Sequence, residues 1–324
     1  MPELGELLTV LRTAAEPTRI RLLALCADSE LTVTELTQIL GQSQPRVSRH
    51  LKLMVDAGLL ERFREGTWAF YRLAQPGAPT EIAAQILEMI SAADPAITRD
   101  RERLSEIKAA RAQMAADYFR KNASQWDEIR RLHVDDRLVE SAMLDVLGDG
   151  PIDSLLDIGT GTGRILELLG PRVGRGIGID LSREMLSVAR ANLEKAGITN
   201  CRVRFGDMYG LSADGDRCDL VTIHQVLHYA DQPALVIAEA ARLLLPGGRL
   251  VVVDFAPHDL ENLRTDHAHR RLGFDDGEVA PWCRAAGLEP APGISLPGDP
   301  LTVMIWVAQR QGSAVKKADQ GEGS

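Results

Sequence analysis

The stretch "LLDIGTGTGR", Leu155–Arg164, decides the fold of the second half of the chain. Its apolar residues predict a β-strand, and the glycines behind them predict a tight turn that opens a helix. Gly159, Gly161 and Gly163 form the pattern G-x-G-x-G. A turn without side chains lets the backbone approach a nucleotide-like cofactor closely. The stretch therefore predicts a cofactor site in the middle of the chain.

The glycine spacing by itself leaves the kind of cofactor open. The dinucleotide fingerprint, G-x-G-x-x-G, would place a glycine at position 164, where the chain has Arg164. This departure weakens a nicotinamide or flavin interpretation, but the turn alone does not decide the matter.

Four further strand patterns follow the turn, with helical stretches between them. "GIGID" ends in Asp180, about twenty residues beyond the turn, where a carboxylate can accept both hydroxyls of a ribose. "CRVRFGDM" ends at Asp207 and Met208, placed to meet an adenine edge, and "CDLVTIHQVLHY" enters a loop at His224. The alternation predicts an α/β fold with a parallel, doubly wound sheet, and a ligand at the carboxyl ends of its strands.

Length and composition set the limits for the whole chain. Its 324 residues are enough for two domains, and 45% hydrophobic with 26% charged residues is typical of a soluble globular protein. No apolar run approaches the roughly 18 residues that span a bilayer. The start lacks a signal-peptide pattern, and the four cysteines form no CxxC pair, so we expect a cytoplasmic protein without a membrane partner.

The segment "LTVTELTQILGQSQPRVSRHLKLM", Leu31–Met54, predicts two helices joined by a short turn. The first helix covers Val33–Leu40 and the turn lies at Gly41. Ser43 caps the second helix, which has a proline in its first turn. On this second helix apolar residues recur at i, i+4 and i+7 and form a buried stripe. This is the helix-turn-helix pattern, in which the second helix reads DNA.

Extended segments after Gly58 predict a β-hairpin with its tip at Glu65-Gly66, which is a wing. Between Ser43 and Arg72 the chain has six basic and three acidic residues, although its net charge is −9. That excess lies where DNA phosphates would be. The predicted DNA-binding residues are Gln44, Arg46, Ser48, Arg49 and Lys52 on the helix, and Arg62 and Arg64 on the wing.

Residues 4–92 resemble the ArsR/SmtB family of winged-helix repressors, through "PTRIRLLALC", "SRHLKLMVDAGLLE" and the "REG" wing. The resemblance implies a homodimer that binds double-stranded operator DNA. A helix in "EIAAQILEMISAAD" would pack against its twofold mate, with a purely intramolecular helix as the alternative. Many arsenic sensors of the family carry Cys-Val-Cys where this chain has Thr32 and Thr34. Hydroxyls are poor ligands for thiophilic metals, so no metal site is expected.

Residues 118–310 resemble the class I S-adenosylmethionine-dependent methyltransferases, nearest to the UbiE-like branch. The matching segments are "LDIGTGTG" (Leu156–Gly163), "GIDLSREML" (Gly178–Leu186) and "LLPGGRLVVVD" (Leu244–Asp254). The resemblance implies a Rossmann-like domain that binds S-adenosylmethionine, with S-adenosylhomocysteine as product or effector. The implied cofactor residues are Gly159, Gly161 and Gly163 at the methionine moiety, Asp157 ordering the turn, Asp180 at the ribose, and Asp207 and Met208 at the adenine.

Methyl transfer needs the nucleophile held in line, and a base only if that nucleophile arrives protonated. His224 is the candidate for catalysis or cofactor contact, with a lining residue that handles no proton as the alternative. The histidines of "TDHAHRRLGF" are too few to predict a metal site. The fourth strand is followed by "HQV" rather than Asn-Pro-Pro-Tyr, which predicts that the acceptor is a small molecule and not a DNA base.

The sequence thus predicts a winged helix-turn-helix over residues 1–92, a helical linker and cap over 93–144, a methyltransferase domain over 145–310 and a disordered tail over 311–324. Two accounts of function compete, and we favour the first, a bifunctional regulator whose methyltransferase domain methylates a small molecule. In one, a working methyltransferase is joined to a DNA-binding domain that controls genes of related metabolism. In the other, the methyltransferase fold is a sensor for S-adenosylmethionine or S-adenosylhomocysteine. A plain enzyme that uses the winged helix only to dimerise is a third possibility.

Overall fold

A computed structural model describes residues 4–65, 68–74, 77–91, 93–122, 136–211 and 217–312. The chain forms two compact units. The first comprises Met1–Ala115 and Asp259–Leu272, and the second comprises Ala116–His258 and Gly273–Ser324. The division between the units falls at residue 115, inside a helix that spans Pro95–Asn122, and the later segment Asp259–Leu272 belongs to the first unit. The domain bounds at residues 92 and 144 stay predictions. Residues 313–324 of the predicted tail lie outside the described residues.

The elements up to residue 122 build the predicted winged helix-turn-helix. They are α1 (Leu4–Ala14), α2 (Pro17–Asp28), β1 (Leu31–Thr32), α3 (Val33–Leu40), α4 (Gln44–Asp56), β2 (Leu60–Glu65), β3 (Trp68–Leu73), α5 (Ala78–Glu88) and α6 (Pro95–Asn122). The strands form an antiparallel sheet in the order β1-β3-β2, and the β2–β3 hairpin is named the wing. Gly41 ends α3 in the left-handed conformation that glycine favours.

Thr32 starts helix α3 through a capping box. Its hydroxyl accepts a hydrogen bond from the Glu35 N–H at 3.3 Å, and the Glu35 carboxylate accepts from the Thr32 N–H at 2.9 Å. Such a pair satisfies two N–H groups that a helix start leaves unpaired. The Thr32 hydroxyl therefore stabilises the start of α3.

The charged residues between Ile97 and Met114, at helical spacing, predict an exposed connecting helix, and most described side chains of α6 are exposed or half-buried. One face is buried in the first unit, where Asp100 accepts two hydrogen bonds of 2.6 Å from the Arg21 guanidinium. Arg103 donates to the Ile39 carbonyl at 2.7 Å, near the end of α3. The charged pattern alone did not show that Asp100 and Arg103 have partners inside the unit.

The elements from residue 136 onward build a doubly wound α/β fold. They are α7 (Asp136–Leu147), β4 (Ile152–Ile158), α8 (Arg164–Leu169), β5 (Val173–Asp180), α9 (Arg183–Lys195), β6 (Cys201–Phe205), β7 (Cys218–His224), α10 (Pro233–Leu243), β8 (Leu244–Phe255), α11 (Asn262–Asp266), α12 (Asp276–Ala285), β9 (Leu288–Pro290), β10 (Ile294–Leu296) and β11 (Val303–Arg310). All belong to the second unit except α11, which lies in the first.

The second unit is built on one sheet in the order β10-β11-β8-β7-β4-β5-β6, with β9 also paired to β11. The five strands from β8 to β6 are parallel, as predicted. Strand β11 runs antiparallel to β8, which the alternation of strands and helices did not indicate. The parallel strands carry near-continuous buried apolar runs, because helices cover such sheets on both faces. Within the described residues, no helix is long and apolar enough to cross a membrane.

Candidate functional site

The glycine turn between β4 and α8 has the backbone that its sequence predicts. Gly159, Gly161 and Gly163 have φ values of 70°, 51° and 82°, in the left-handed region that residues with a Cβ avoid. The Gly159 N–H donates to the Ile179 carbonyl at 2.8 Å. The turn is therefore fixed to the carboxyl end of the neighbouring strand β5.

Asp180, the last residue of β5, holds the same turn from its other side. One carboxylate oxygen accepts from the Gly161 N–H at 2.8 Å, and the other accepts from the Ser182 N–H at 2.8 Å. Burial raises the pKa of Asp180, although the N–H donors of Ser182 and Gly161 partly oppose the rise. A carboxylate offers about four acceptor positions, and the N–H groups of Ser182, Gly161 and Leu181 leave about one of them for a ribose hydroxyl.

The loop after β7 closes over the glycine turn. A Cβ added to Gly159 would lie 2.5 Å from a Val226 methyl carbon, so this glycine is required by close packing as well as by its φ. His224 ends β7 and is buried. Gln225 has a φ of 53° without being glycine, a strained conformation that is concentrated at functional sites. The predicted role of His224 stays a prediction.

His228 and Asp254 form a buried pair beside this loop. The His228 Nδ1 lies 2.8 Å from an Asp254 oxygen, and both side chains are at most 2% exposed. The Asp254 carboxylate also accepts from the His228 and Phe255 N–H groups. It therefore joins the end of β8 to the loop that touches Gly159.

The other predicted cofactor residues lie near the same sheet edge. Asp157 is buried in β4 and accepts a 2.7 Å hydrogen bond from the Thr222 hydroxyl of β7. Asp207 follows β6, is exposed, and accepts from the Tyr209 N–H at 3.0 Å, while Met208 is half-buried. Parallel strands end at one edge of a sheet, so the structure brings these residues to the edge that carries the glycine turn.

Arg164 has a structural partner at the position where a dinucleotide fingerprint has glycine. Its guanidinium donates two hydrogen bonds of 2.7 Å to the carboxylate of Glu140, which is buried in α7. This bidentate ion pair holds α7 against the start of α8 and raises the pKa of Arg164. The side chain accounts for the departure from the dinucleotide pattern.

The second helix of the helix-turn-helix presents the predicted DNA-binding residues outward. On α4, Val47, Leu51 and Met54 are fully buried, as the apolar spacing predicts. The opposite side carries Gln44, Arg46, Arg49 and Lys52, all exposed, and Ser48, which is half-buried. Ser43 occupies the N-cap position of α4, but its side chain makes no capping hydrogen bond.

The arginines of the wing are of two kinds, exposed and paired with carboxylates. Arg62 and Arg64 alternate along β2 and are both exposed. Arg72, which the sequence counts with the basic patch, is instead paired with Glu30 at 3.0 Å and Glu61 at 3.3 Å. Its charge is therefore neutralised inside the unit, and the patch for DNA phosphates is smaller by one arginine.

Three features of the site were missed from the sequence. Val226 and the strained Gln225 carry no motif, because their role comes from the loop's path over Gly159. Asp254 had a signal, since it is the carboxylate at the end of a matched segment, but its partner His228 is 26 residues away. Only the pairing of β7 with β8 brings the two together.

Comparison with known families agrees with both halves of this description. A family model described as "Bacterial regulatory protein, arsR family" matches residues 16–62, and one described as "Methyltransferase domain" matches residues 151–287. The arsenic resistance transcriptional regulator ArsR1 of Pseudomonas putida is 39% identical over 99 residues, which cover 30% of this chain and 77% of that protein.

The second half has relatives among methyltransferases. The ubiquinone biosynthesis O-methyltransferase of Aromatoleum aromaticum is 30% identical over 167 residues, which cover 46% of this chain and 69% of that protein. Two other relatives, a transposon protein of Streptomyces fradiae and the methyltransferase YcgJ of Bacillus subtilis, are spanned over only 34% and 42% of their own length.

A solved structure supports the fold of the second unit. It is a chain from the complex of a Haloferax volcanii methyltransferase activator with a methyltransferase, and it superposes with a TM-score of 0.52. The match covers 61% of this chain and 98% of that one at 24% identity, so it shows the fold alone.

Proposed function

Since the chain belongs to the arsR family of bacterial regulatory proteins and carries a methyltransferase domain, we propose that it is a ligand-responsive transcriptional regulator. Its winged helix binds operator DNA, and its methyltransferase domain binds S-adenosylmethionine or S-adenosylhomocysteine as the signal. The observation that carries this proposal is the return of Asp259–Leu272 to the DNA-binding unit. That segment lies inside residues 151–287, which match the methyltransferase model.

The chemistry of the cradle supports an adenosyl ligand. The left-handed glycines keep the turn free of side chains, and Asp180 is fixed at the end of β5 with acceptor capacity for a ribose. Asp207 and Met208 follow the next strand and would hold the adenine. S-adenosylmethionine would supply a transferable methyl group. S-adenosylhomocysteine, the product of methyl transfer, would signal that the methyl group has been used.

An operator titration tests the proposal directly. The affinity of the full chain for its operator is measured without ligand, with S-adenosylmethionine and with S-adenosylhomocysteine. A regulatory ligand must bind the DNA-bound and free states with different affinities, and typical couplings change affinity about 5- to 150-fold. If neither ligand moves the operator binding curve, the regulator does not sense these compounds.

Replacing Asp180 by asparagine should weaken S-adenosylhomocysteine binding by about 10- to 100-fold. Hydrogen bonds to a charged group contribute about 1.5–3 kcal/mol, and asparagine keeps the shape but not the charge. Calorimetry measures the change. Asp145→Asn, at an exposed carboxylate of α7, is the matched control and should bind like the wild type. If both variants bind S-adenosylhomocysteine with equal affinity, Asp180 does not contact the ligand.

The same carboxylate should make ligand affinity depend on pH. Hydroxyl donors favour the ionised form, so binding is full above the raised pKa of Asp180 and weakens as pH falls through it. The weakening should begin at a higher pH than for an aspartate of ordinary pKa. The dissociation constant measured over a pH series checks this, and the Asp180→Asn variant should lose that part of the dependence.

Apolar residues on α1 and directly after α5 support a homodimer as the DNA-binding form. Leu4 and Met89 are 72% and 78% exposed in the single chain, and Leu8 and Leu11 are also exposed. Exposed apolar patches of this kind mark protein interfaces. Sedimentation of the wild type against a Leu8→Glu variant tests this, and a wild type that remains monomeric would contradict it.

Methyl transfer to a small acceptor is the second candidate function, and the His228–Asp254 pair favours it. A carboxylate that holds one imidazole nitrogen fixes the tautomer of the ring, as in general-base pairs. Formation of S-adenosylhomocysteine from S-adenosylmethionine with phenol, amine and thiol acceptors tests this. Turnover that falls in His228→Gln, with ligand affinity kept, would support the enzyme account.

A further inference from the structure

The segment Asp259–Leu272, named the strap, follows strand β8 in the chain but packs inside the DNA-binding unit. It contains α11 and the buried side chains of Leu263, His269 and Leu272. A surface loop usually has high exposure and few partners. The strap instead has buried side chains and several contacts to the wing.

Glu30 is the polar anchor of the strap. Arg271 is 2% exposed and donates to the Glu30 carboxylate at 3.1 Å, and Arg270 donates to the Glu30 carbonyl at 2.9 Å. The other carboxylate oxygen of Glu30 accepts from Arg72 of the wing at 3.0 Å. One acidic residue therefore joins the strap to the strand that forms half of the wing.

The aromatic side chains of the wing form the second anchor. The Phe63 and Phe70 rings stack with their centroids 5.4 Å apart, and the Arg271 guanidinium lies 5.2 Å from the Phe63 centroid. Arg264 lies 5.1 Å from the Trp68 ring and 5.6 Å from the Phe70 ring. A planar guanidinium suits such stacking better than a lysine ammonium does.

The residues that flank the strap in the second unit meet each other at the carboxyl end of β8. The Phe274 N–H donates to the Phe255 carbonyl at 2.9 Å, which closes the loop at its base. Gly273 has a φ of 91°, and a Cβ there would lie 2.2 Å from the Ala256 carbonyl oxygen. The chain segments on the two sides of the strap, at Phe255–Ala256 and Gly273–Phe274, are thus closely packed against each other within the second unit.

This base is continuous with the cradle through contacts within the second unit. Asp254 precedes Phe255 and holds His228, and the loop before His228 places Val226 against Gly159. Closely packed elements of this kind have few intermediate arrangements. A ligand that moves the loop over Gly159 therefore acts on the strand end from which the strap leaves.

We propose that the wing is the docking surface of the strap, and that the strap transmits ligand binding in the cradle to the wing. The proposal deepens the ligand-responsive function and rests on it. When the ligand shifts the end of β8, the strap pulls or releases Phe63 and Phe70 through its arginines. The exposed Arg62 and Arg64, which alternate with Phe63 on β2, then change position relative to DNA.

The test uses the full-length double variant Arg264→Lys, Arg271→Lys, which keeps both charges and removes the planar faces over the wing. Operator affinity is measured with and without saturating S-adenosylhomocysteine, and ligand affinity is measured separately by calorimetry. The matched control is Arg175→Lys, Arg190→Lys, at two exposed arginines of the second unit.

The wild type and the control should show a ligand-dependent change in operator affinity of at least about fivefold. In the strap variant the change should fall to less than about twofold, while the ligand affinity stays as in the wild type. Because coupling is reciprocal, operator DNA should change ligand affinity in the wild type by the same factor and not in the variant.

An unchanged ligand effect in the strap variant would overturn the strap proposal and leave the proposed function standing. No ligand effect in the wild type would overturn both. Hydrogen exchange on the wild type keeps the proposal testable if the variant does not fold. Ligand should change protection at residues 60–65 and 259–272, and unchanged protection in both segments would overturn the proposal.

Discussion

Replacing Arg46, Arg49 and Lys52 by alanine should lower operator affinity by at least about 100-fold. The three side chains are exposed on the outer side of α4, while the apolar side of the helix is fully buried. The substitutions therefore remove charge and donors without disturbing the core. The slope of log affinity against log salt should also fall by about one for each residue that contacts a phosphate.

A matched variant separates local recognition from net charge. Arg175, Arg190 and Arg202 are exposed on the second unit, and their replacement by alanine removes the same number of charges. That control should keep most of the operator affinity. Both triple variants should bind S-adenosylhomocysteine like the wild type. Loss of ligand binding in the α4 variant would contradict separate sites for DNA and ligand.

Replacing Gly159 by alanine should abolish most ligand binding and lower the stability of the chain. The left-handed conformation costs about 1–2 kcal/mol for a residue with a Cβ, and overpacking against Val226 costs a further 1–3 kcal/mol or so. If about 1.4 kcal/mol of this strain must be overcome to form the turn that binds the ligand, the ligand affinity falls about tenfold. Calorimetry and thermal unfolding measure the two effects.

Gly197 provides the matched control for Gly159. Its φ of 69° is almost the same, but nothing lies within 4 Å of the position where a Cβ would be. Gly197→Ala should therefore show only the backbone cost and keep full ligand affinity. Adding Val226→Ala to Gly159→Ala should recover part of the lost stability. If both glycine variants bind ligand equally well, close packing at Gly159 does not matter for the cradle.

Much of the molecule could be predicted because its signals are local. The positive φ of the turn glycines, the buried stripe on α4 and the alternation of β2 depend on residues that are neighbours in the chain. Asp180 could be placed because a strand that precedes a helix in this fold ends at the ligand edge. These features depend only on the conformation of neighbouring residues and on the edge of the sheet at which a strand ends.

Long-range pairing decided the features that the sequence missed. Arg72 carries the same charge as Arg62, and only the nearness of Glu30 and Glu61 removes it from the DNA surface. The charged pattern of α6 indicated exposure, yet Asp100 is buried because Arg21, 79 residues away, meets it. The sequence alone does not show whether a charged side chain is solvated or is paired with another side chain.

By itself, the sequence determined a winged helix-turn-helix followed by a methyltransferase fold, with an outward basic helix face and a glycine turn beside strand-end carboxylates. Glycines, helix caps and apolar periodicity act over a few residues, so they can be interpreted from the sequence without a structure. Only the tertiary structure decided that Asp259–Leu272 packs with the wing, because the Arg271–Glu30 contact joins residues 241 positions apart. No local pattern encodes such a contact, since it exists only when two segments that are distant in the chain fold into the same unit.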